Sequence, residues 1–142
     1  MRRLFCRLKS GESGQSVVEF ALVLPIFLLL VMGLIQFGAI FNGQITVTSA
    51  AREGARLGVV GTPNPEVRDR LIEHTAALFL QPLTPSDIMI SPTEQEFRVV
   101  GQELTVRVSG TVPIIVPGFN LFLGNSYPVS GEAVMRIETL PQ

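Results

Sequence analysis

Polar chemistry is scarce in this sequence. Its 142 residues include one cysteine and one histidine, which excludes an internal disulfide framework and any Cys/His zinc cage built from this chain alone. Charge is scarce too, at 16% against roughly 25% in an average soluble protein. Eleven basic and twelve acidic residues leave −1 overall, so no basic excess points to nucleic acid. No phosphate-cradling loop and no basic patch interleaved with aromatics occurs. Ser49, Ser86, Ser91, Ser109, Ser126 and Ser130 stand in no nucleophile-elbow context, and His74 beside Glu73 has no second catalytic or ligating group. The expectation is a non-enzyme with no cofactor, no metal and no small-molecule substrate. What the chain has instead is apolar surface: 46% of residues are hydrophobic. That composition rules out a disordered tail and fits an ordinary cytosolic domain poorly. The length is that of one small domain.

The apolar residues are concentrated. Residues 20–35 contain no polar side chain, and after Gln36 the run resumes over 37–41. As a helix, residues 20–41 would be about 33 Å long, enough for a hydrocarbon core of about 30 Å. Pro25 predicts a kink near Ala21 and Leu22, and Gly33, Gly38 and Gly43 offer further bends. Charge sets the direction. Arg2, Arg3, Arg7 and Lys9 against Glu12 and Glu19 give +2, whereas residues 42–142 carry seven basic and ten acidic groups, or −3. Positive flanks stay inside. The expectation is a single-pass protein of a bacterial inner membrane, with a cytoplasmic N-terminus and a periplasmic or extracellular C-terminal domain, and the lipid bilayer as its first partner.

Three readings of the N-terminus compete. Arg2-Arg3-Leu4-Phe5 weakly imitates a twin-arginine signal, and Thr48-Ser49-Ala50 could pass for a cleavage site. The apolar run is longer than a signal core, however, and that site lies well beyond the membrane exit. Cys6 precedes the run, so it is no lipoprotein acceptor and reads as a plain reduced thiol. A stable uncleaved anchor is the second reading. The third starts from Glu19, the only charge between Glu12 and Arg52, which abuts the greasy run with Gly14 five residues ahead. A carboxylate there is costly unless it reaches headgroups or a cation. The spacing resembles the type IV prepilin processing site. That resemblance implies a membrane peptidase cutting after Gly14 on the cytoplasmic side, Gln15 as the new terminus, and Glu19 as an assembly carboxylate. Its partner would be a neighbouring subunit's new amine, the two charges neutralising each other as helices leave lipid for a bundle. Alternatively, Glu19 simply sits among headgroups.

Past the membrane run, no proline interrupts the chain until Pro63, and Gly61-Thr62-Pro63 is a stop signal. One helix is expected from about Gln15 to Val60. Ala50, Gly54 and Gly58 line one small face, and Ala51 and Ala55 another, permitting close helix approach. Arg52 and Arg56 share a stripe, with Glu53 one turn from Arg56. That small face packs either on the protein's own sheet or on another subunit. Residues 15–26, followed about 25 residues later by Ala50-Ala51-Arg52-Glu53-Gly54-Ala55-Arg56, resemble TadE-like proteins, minor pilins or pseudopilins of the tight-adherence (Flp) pilus apparatus. The resemblance is closest over 11–60 and only general downstream. It implies a minor pilin-like component of pilus biogenesis whose partners are a prepilin peptidase and other pilin or pilus-assembly subunits. One departure is Phe20, where processed Flp-type prepilins commonly carry Tyr. The alternative function is an uncleaved inner-membrane adaptor of a pilus or secretion machine.

Downstream, Asn64-Pro65-Glu66 reads as a capped helix start. The helix is expected to run to about Leu80, offering Val67, Leu71, Ile72, Leu78 and Phe79 to a core. The period then switches to two. Ile88 and Ile90 mark a short strand. Phe97 to Val100 lead through Gly101 and Gln102 to Leu104, Val106, Val108, Val112 and Ile114, and Val129, Ala133, Met135 and Ile137 line a last strand. Leu104 to Val108 alternate most cleanly and are expected centrally, while Glu94, Glu96 and Glu103 read as edge charges. Residues 114–124 break the pattern with seven large apolar side chains and no charge. They form either an exposed docking or lipid-touching loop or a flap over the core. The expected fold class is α+β: a long transmembrane helix extending into a small exported domain with a second helix and a three- to four-stranded antiparallel sheet. Its parts are a basic leader (1–14), the long helix (15–61) and an exported head (62–142).

Overall fold

A computed structural model describes residues 11–76, 81–93 and 98–137. Arg2, Arg3, Cys6, Arg7, Lys9, Leu78, Phe79, Leu80, Glu94, Glu96 and Phe97, which entered the expectations above, lie outside the described residues. The chain forms two compact units, Met1–Ile35 and Gln36–Gln142.

Helix α1, Gly11–Val59, runs through both. It starts earlier than Gln15, so Gly14 and Gln15 are helical, and it remains helical at Pro25, Gly33, Gly38 and Gly43. In the first unit every side chain from Gln15 to Leu30 is exposed. An apolar stretch with no protein partner over that length is suited to lipid, where the helix satisfies its own backbone. Among the described residues, this helix alone is long and apolar enough to cross a membrane.

The second unit is built around the end of α1. Helix α2, Asn64–Thr75, follows a short turn closed by Thr62 N–H donating to Leu57 O at 3.2 Å. Strands β1 (Ile88–Ser91), β2 (Glu103–Pro113) and β3 (Ser126–Arg136) form an antiparallel sheet in the order β1-β2-β3. A one-turn helix, α3 (Asn120–Leu123), lies between β2 and β3. The chain is therefore α+β, with β2 central as its alternation predicts. Three strands occur among the described residues.

Two expectations need correction. Helix α2 ends at Thr75, with Ala76 as its C-cap, rather than near Leu80. Asn64 is not its cap: the N-cap position is Pro63, with no side-chain cap bond, because the Asn64 amide is used elsewhere. Val99 and Val100 are exposed ahead of β2, Val100 in the turn that leads into it.

Side-chain size grades across the inner face of the sheet. Opposed residues run Ile88, Val108, Gly131 in one row and Ile90, Val106, Ala133 in the next, from β1 to β3. The taper lets α1 come closest over β3. A Cβ built on Gly131 would lie 2.6 Å from both Thr48 N and Thr48 Cα, so only glycine fits there. Gln44 Nε2 adds a 2.8 Å bond to Ser130 O. Val47, Ala50, Ala51 and Ala55 from α1 join Val67 and Leu71 from α2 and the inner sheet residues in one core.

Candidate processing and helix-packing site

Gly14, Gln15 and Glu19 lie exposed on α1 in the first unit. No atom lies within 4 Å of a Cβ placed on Gly14. Packing therefore does not require glycine at this position. The Gly14–Gln15 bond is helical, close to the helix start, where Gly11, Ser13 and Gly14 have poor helix propensity. A peptidase needs extended backbone, and this first turn is the part of α1 that opens most cheaply.

The small-residue face belongs to the second unit and is covered by the chain itself. Ala50, Ala51, Gly54, Ala55 and Gly58 are all buried. A Cβ on Gly54 would meet Leu71 Cδ1 at 2.8 Å and Val106 Cγ1 at 3.1 Å, and one on Gly58 would run into Leu104. These residues thus seat α1 on α2 and β2. On the other side of the helix, Arg52 and Arg56 are exposed and Glu53 is half-buried. Arg56 grips Glu53 with two bonds, Nε to Oε2 at 2.8 Å and Nη2 to Oε1 at 2.6 Å. The hydrogen bond from Arg56 holds the Glu53 carboxyl below its ordinary value and raises the Arg56 guanidinium in turn. His74 is exposed on α2. The Thr48-Ser49-Ala50 signal-cleavage candidate is also helical, with Ala50 and neighbouring Val47 fully buried, so it presents no accessible extended bond.

Two polar anchors were not singled out by sequence reasoning. Gln36 is 2% exposed; its Nε2 donates to Pro113 O at 3.1 Å and its Oε1 accepts from Ile115 N–H at 2.8 Å. Its signal was visible, as one amide interrupting an apolar run. Arg98, also 2% exposed, donates to Gly58 O at 3.3 Å and to Asn64 Oδ1, while the Asn64 amide donates to Thr93 O. The guanidinium thereby satisfies a carbonyl at the C-terminal end of α1, where a cation is favoured. Burial holds it below its ordinary basicity.

The family model for TadE-like protein matches residues 14–56. Over this stretch the chain is similar to TadE-like proteins. The matched TadE-like segment begins at Gly14, contains Glu19 and ends at Arg56, so it takes in the exposed N-terminal face and almost all of the small-residue face; only Gly58 falls beyond it. It covers less than a third of the chain and associates the protein with the tight-adherence pilus. The long apolar helix fits a single-pass membrane protein. No curated protein and no solved structure matches the chain.

Proposed function

We propose that this TadE-like chain is a minor pilin-like subunit of tight-adherence pilus biogenesis. It is made as an inner-membrane precursor with its N-terminus in the cytoplasm, and a prepilin peptidase cuts it after Gly14. The observation that carries the reading is Gly14 placed five residues before Glu19, the lone carboxylate at the edge of an exposed apolar helix. Cutting at Gly14 removes the basic leader and frees an ammonium on Gln15, an α-amine that is largely protonated at neutral pH. Pairing that amine with Glu19 of a neighbouring subunit offsets the cost of both charges in an apolar surrounding. The buried small face is already used by the head, so contacts between subunits fall to the exposed apolar helix and the Arg52 stripe. In this reading the chain is a substrate of processing, not a catalyst.

The test is the mature N-terminus. Intact mass and terminal sequencing from cells with an active prepilin peptidase should give a chain starting at Gln15, and retention of Met1 would refute processing. One observation favours the second reading, an uncleaved adaptor of the pilus or secretion machine: the Gly14–Gln15 bond is helical. For such an adaptor Glu19→Ala leaves piliation intact. For a processed pilin-like subunit it abolishes piliation at normal protein levels.

A further inference from the structure

Between Arg107 and Glu132 the chain contains no charged residue. Residues 114–124 form the apolar centre of that stretch; Val116 is buried and Ile114 and Phe119 are half-buried, whereas Ile115, Leu121 and Leu123 lie open. Leu121 is 84% exposed and Ile115 60%, with Leu123 at 42%. The segment is nonetheless a built structure. Gly118 (φ 87°) and Gly124 (φ 73°) take the left-handed turns that other residues avoid. Ile114 N–H closes the base on Asn125 O at 3.0 Å, and the N–H groups of Phe119, Leu121, Leu123 and Gly124 are all bonded within the loop. An apolar surface with internally satisfied amides is what contact with lipid requires.

Its position identifies the occupant. The loop is fastened to α1 through Gln36 by the two bonds that flank Ile114. Gln36 lies inside the apolar run, five residues before the run ends at Phe41, or about 7 Å along a helix axis. Phe37, Phe41 and Ile45 are exposed on the same part of α1. The loop therefore starts at a level where the helix itself still presents bare apolar side chains.

We propose that residues 114–123 are a second membrane contact, inserted beside α1 into the interfacial layer of the bilayer that the helix spans. The proposal rests on the single-pass membrane reading. Interfacial elements of this kind enter the headgroup and upper acyl region, and the exposed Tyr127 beside the loop is an interface-favouring aromatic.

The chain has no tryptophan, so single Leu121→Trp, Phe27→Trp and Met89→Trp variants of the full chain each carry one clean probe. Each is reconstituted in phosphatidylcholine vesicles and titrated with shallow spin-labelled lipid, with mid-chain spin-labelled lipid and, separately, with iodide. The Leu121→Trp probe should lose roughly half its emission to the shallow lipid quencher and resist iodide, as an interfacial residue does. The Met89→Trp probe, on the open face of the sheet, should respond to iodide alone. Iodide quenching at position 121 equal to that at 89 overturns the proposal. So does protection from both quenchers, which would mean that protein, such as a second copy, covers the loop. Quenching at 27 by the mid-chain label without quenching at 121 by the shallow one defeats only the loop contact, whereas its absence at 27 defeats the membrane reading as well. Leu123→Trp repeats the test from a second position.

Discussion

Gly131→Ala is the sharpest perturbation of the head, because what it meets is backbone. The added methyl would lie 2.6 Å from Thr48 N and Cα and 2.5 Å from Val47 O, about 1 Å inside normal contact. No rotamer change relieves this; α1 must lift from β3, loosening Val47 and the Gln44–Ser130 bond. Overpacking of this kind costs roughly 1–3 kcal/mol, and a rigid obstacle belongs at the upper end. Replacing glycine returns about 0.5–1 kcal/mol of conformational entropy, since Gly131 is not at positive φ. The net loss is about 2 kcal/mol, or roughly 8 °C in Tm for a domain of this size. Gly54→Ala is the control. Its methyl meets the ends of Leu71 and Val106 side chains, which can turn aside, and a helical alanine is favoured over glycine by about 1 kcal/mol. Its stability should fall within about 1 kcal/mol of the parent. Thermal unfolding of the full chain in detergent, followed by near-UV circular dichroism, compares the two. Equal melting temperatures for Gly131→Ala and Gly54→Ala would refute the close crossing of α1 over β3.

Three other outcomes follow from polar contacts. Gln36→Leu strands the Ile115 N–H and the Pro113 carbonyl, costing about 1–3 kcal/mol, and hydrogen exchange at Ile115 should accelerate while the β2–β3 amides beyond the loop stay protected. Arg98→Ala leaves Asn64 Oδ1 without its guanidinium donor and Gly58 O with the Gly61 N–H alone; a loss of about 2–3 kcal/mol is expected in chemical denaturation, and an unchanged midpoint would contradict the buried bridge. Glu53 is held low by Arg56, so its contribution is present above the ordinary carboxylate range and is lost as pH falls through the lowered value. Glu53→Gln should flatten that acid limb of a stability-versus-pH curve, and added salt should shrink the difference because both side chains are solvent-accessible.

The physical signals that were legible in the sequence are those carried by repetition. An apolar run too long for a signal core, Pro63 after Gly61, and strict alternation through Leu104, Val106 and Val108 each reappear as an element in its expected place. The Glu53–Arg56 pair was readable from its spacing alone. Less legible were features decided by tertiary contact. The extent of α2 failed because Leu78 and Phe79 continue its apolar pattern while the helix stops at Thr75. Asn64 looked like a cap because its type and place were right, but a guanidinium 34 residues away claims its side chain. The small face of α1 was ambiguous in principle, since Ala and Gly permit approach without naming the partner; Leu71, Val106 and Leu104 occupy it. For Gly14 and Glu19 the spacing of residues is the whole signal, because both are exposed and nothing around them adds a further constraint.

The last turns of α1 are at once the tether and a wall of the head's interior, with Val47, Ala50, Ala51 and Ala55 fully enclosed. Tension along the tether is consequently borne by the packed interior rather than by a slack hinge. A pull strong enough to draw those turns out would open the head at the same moment.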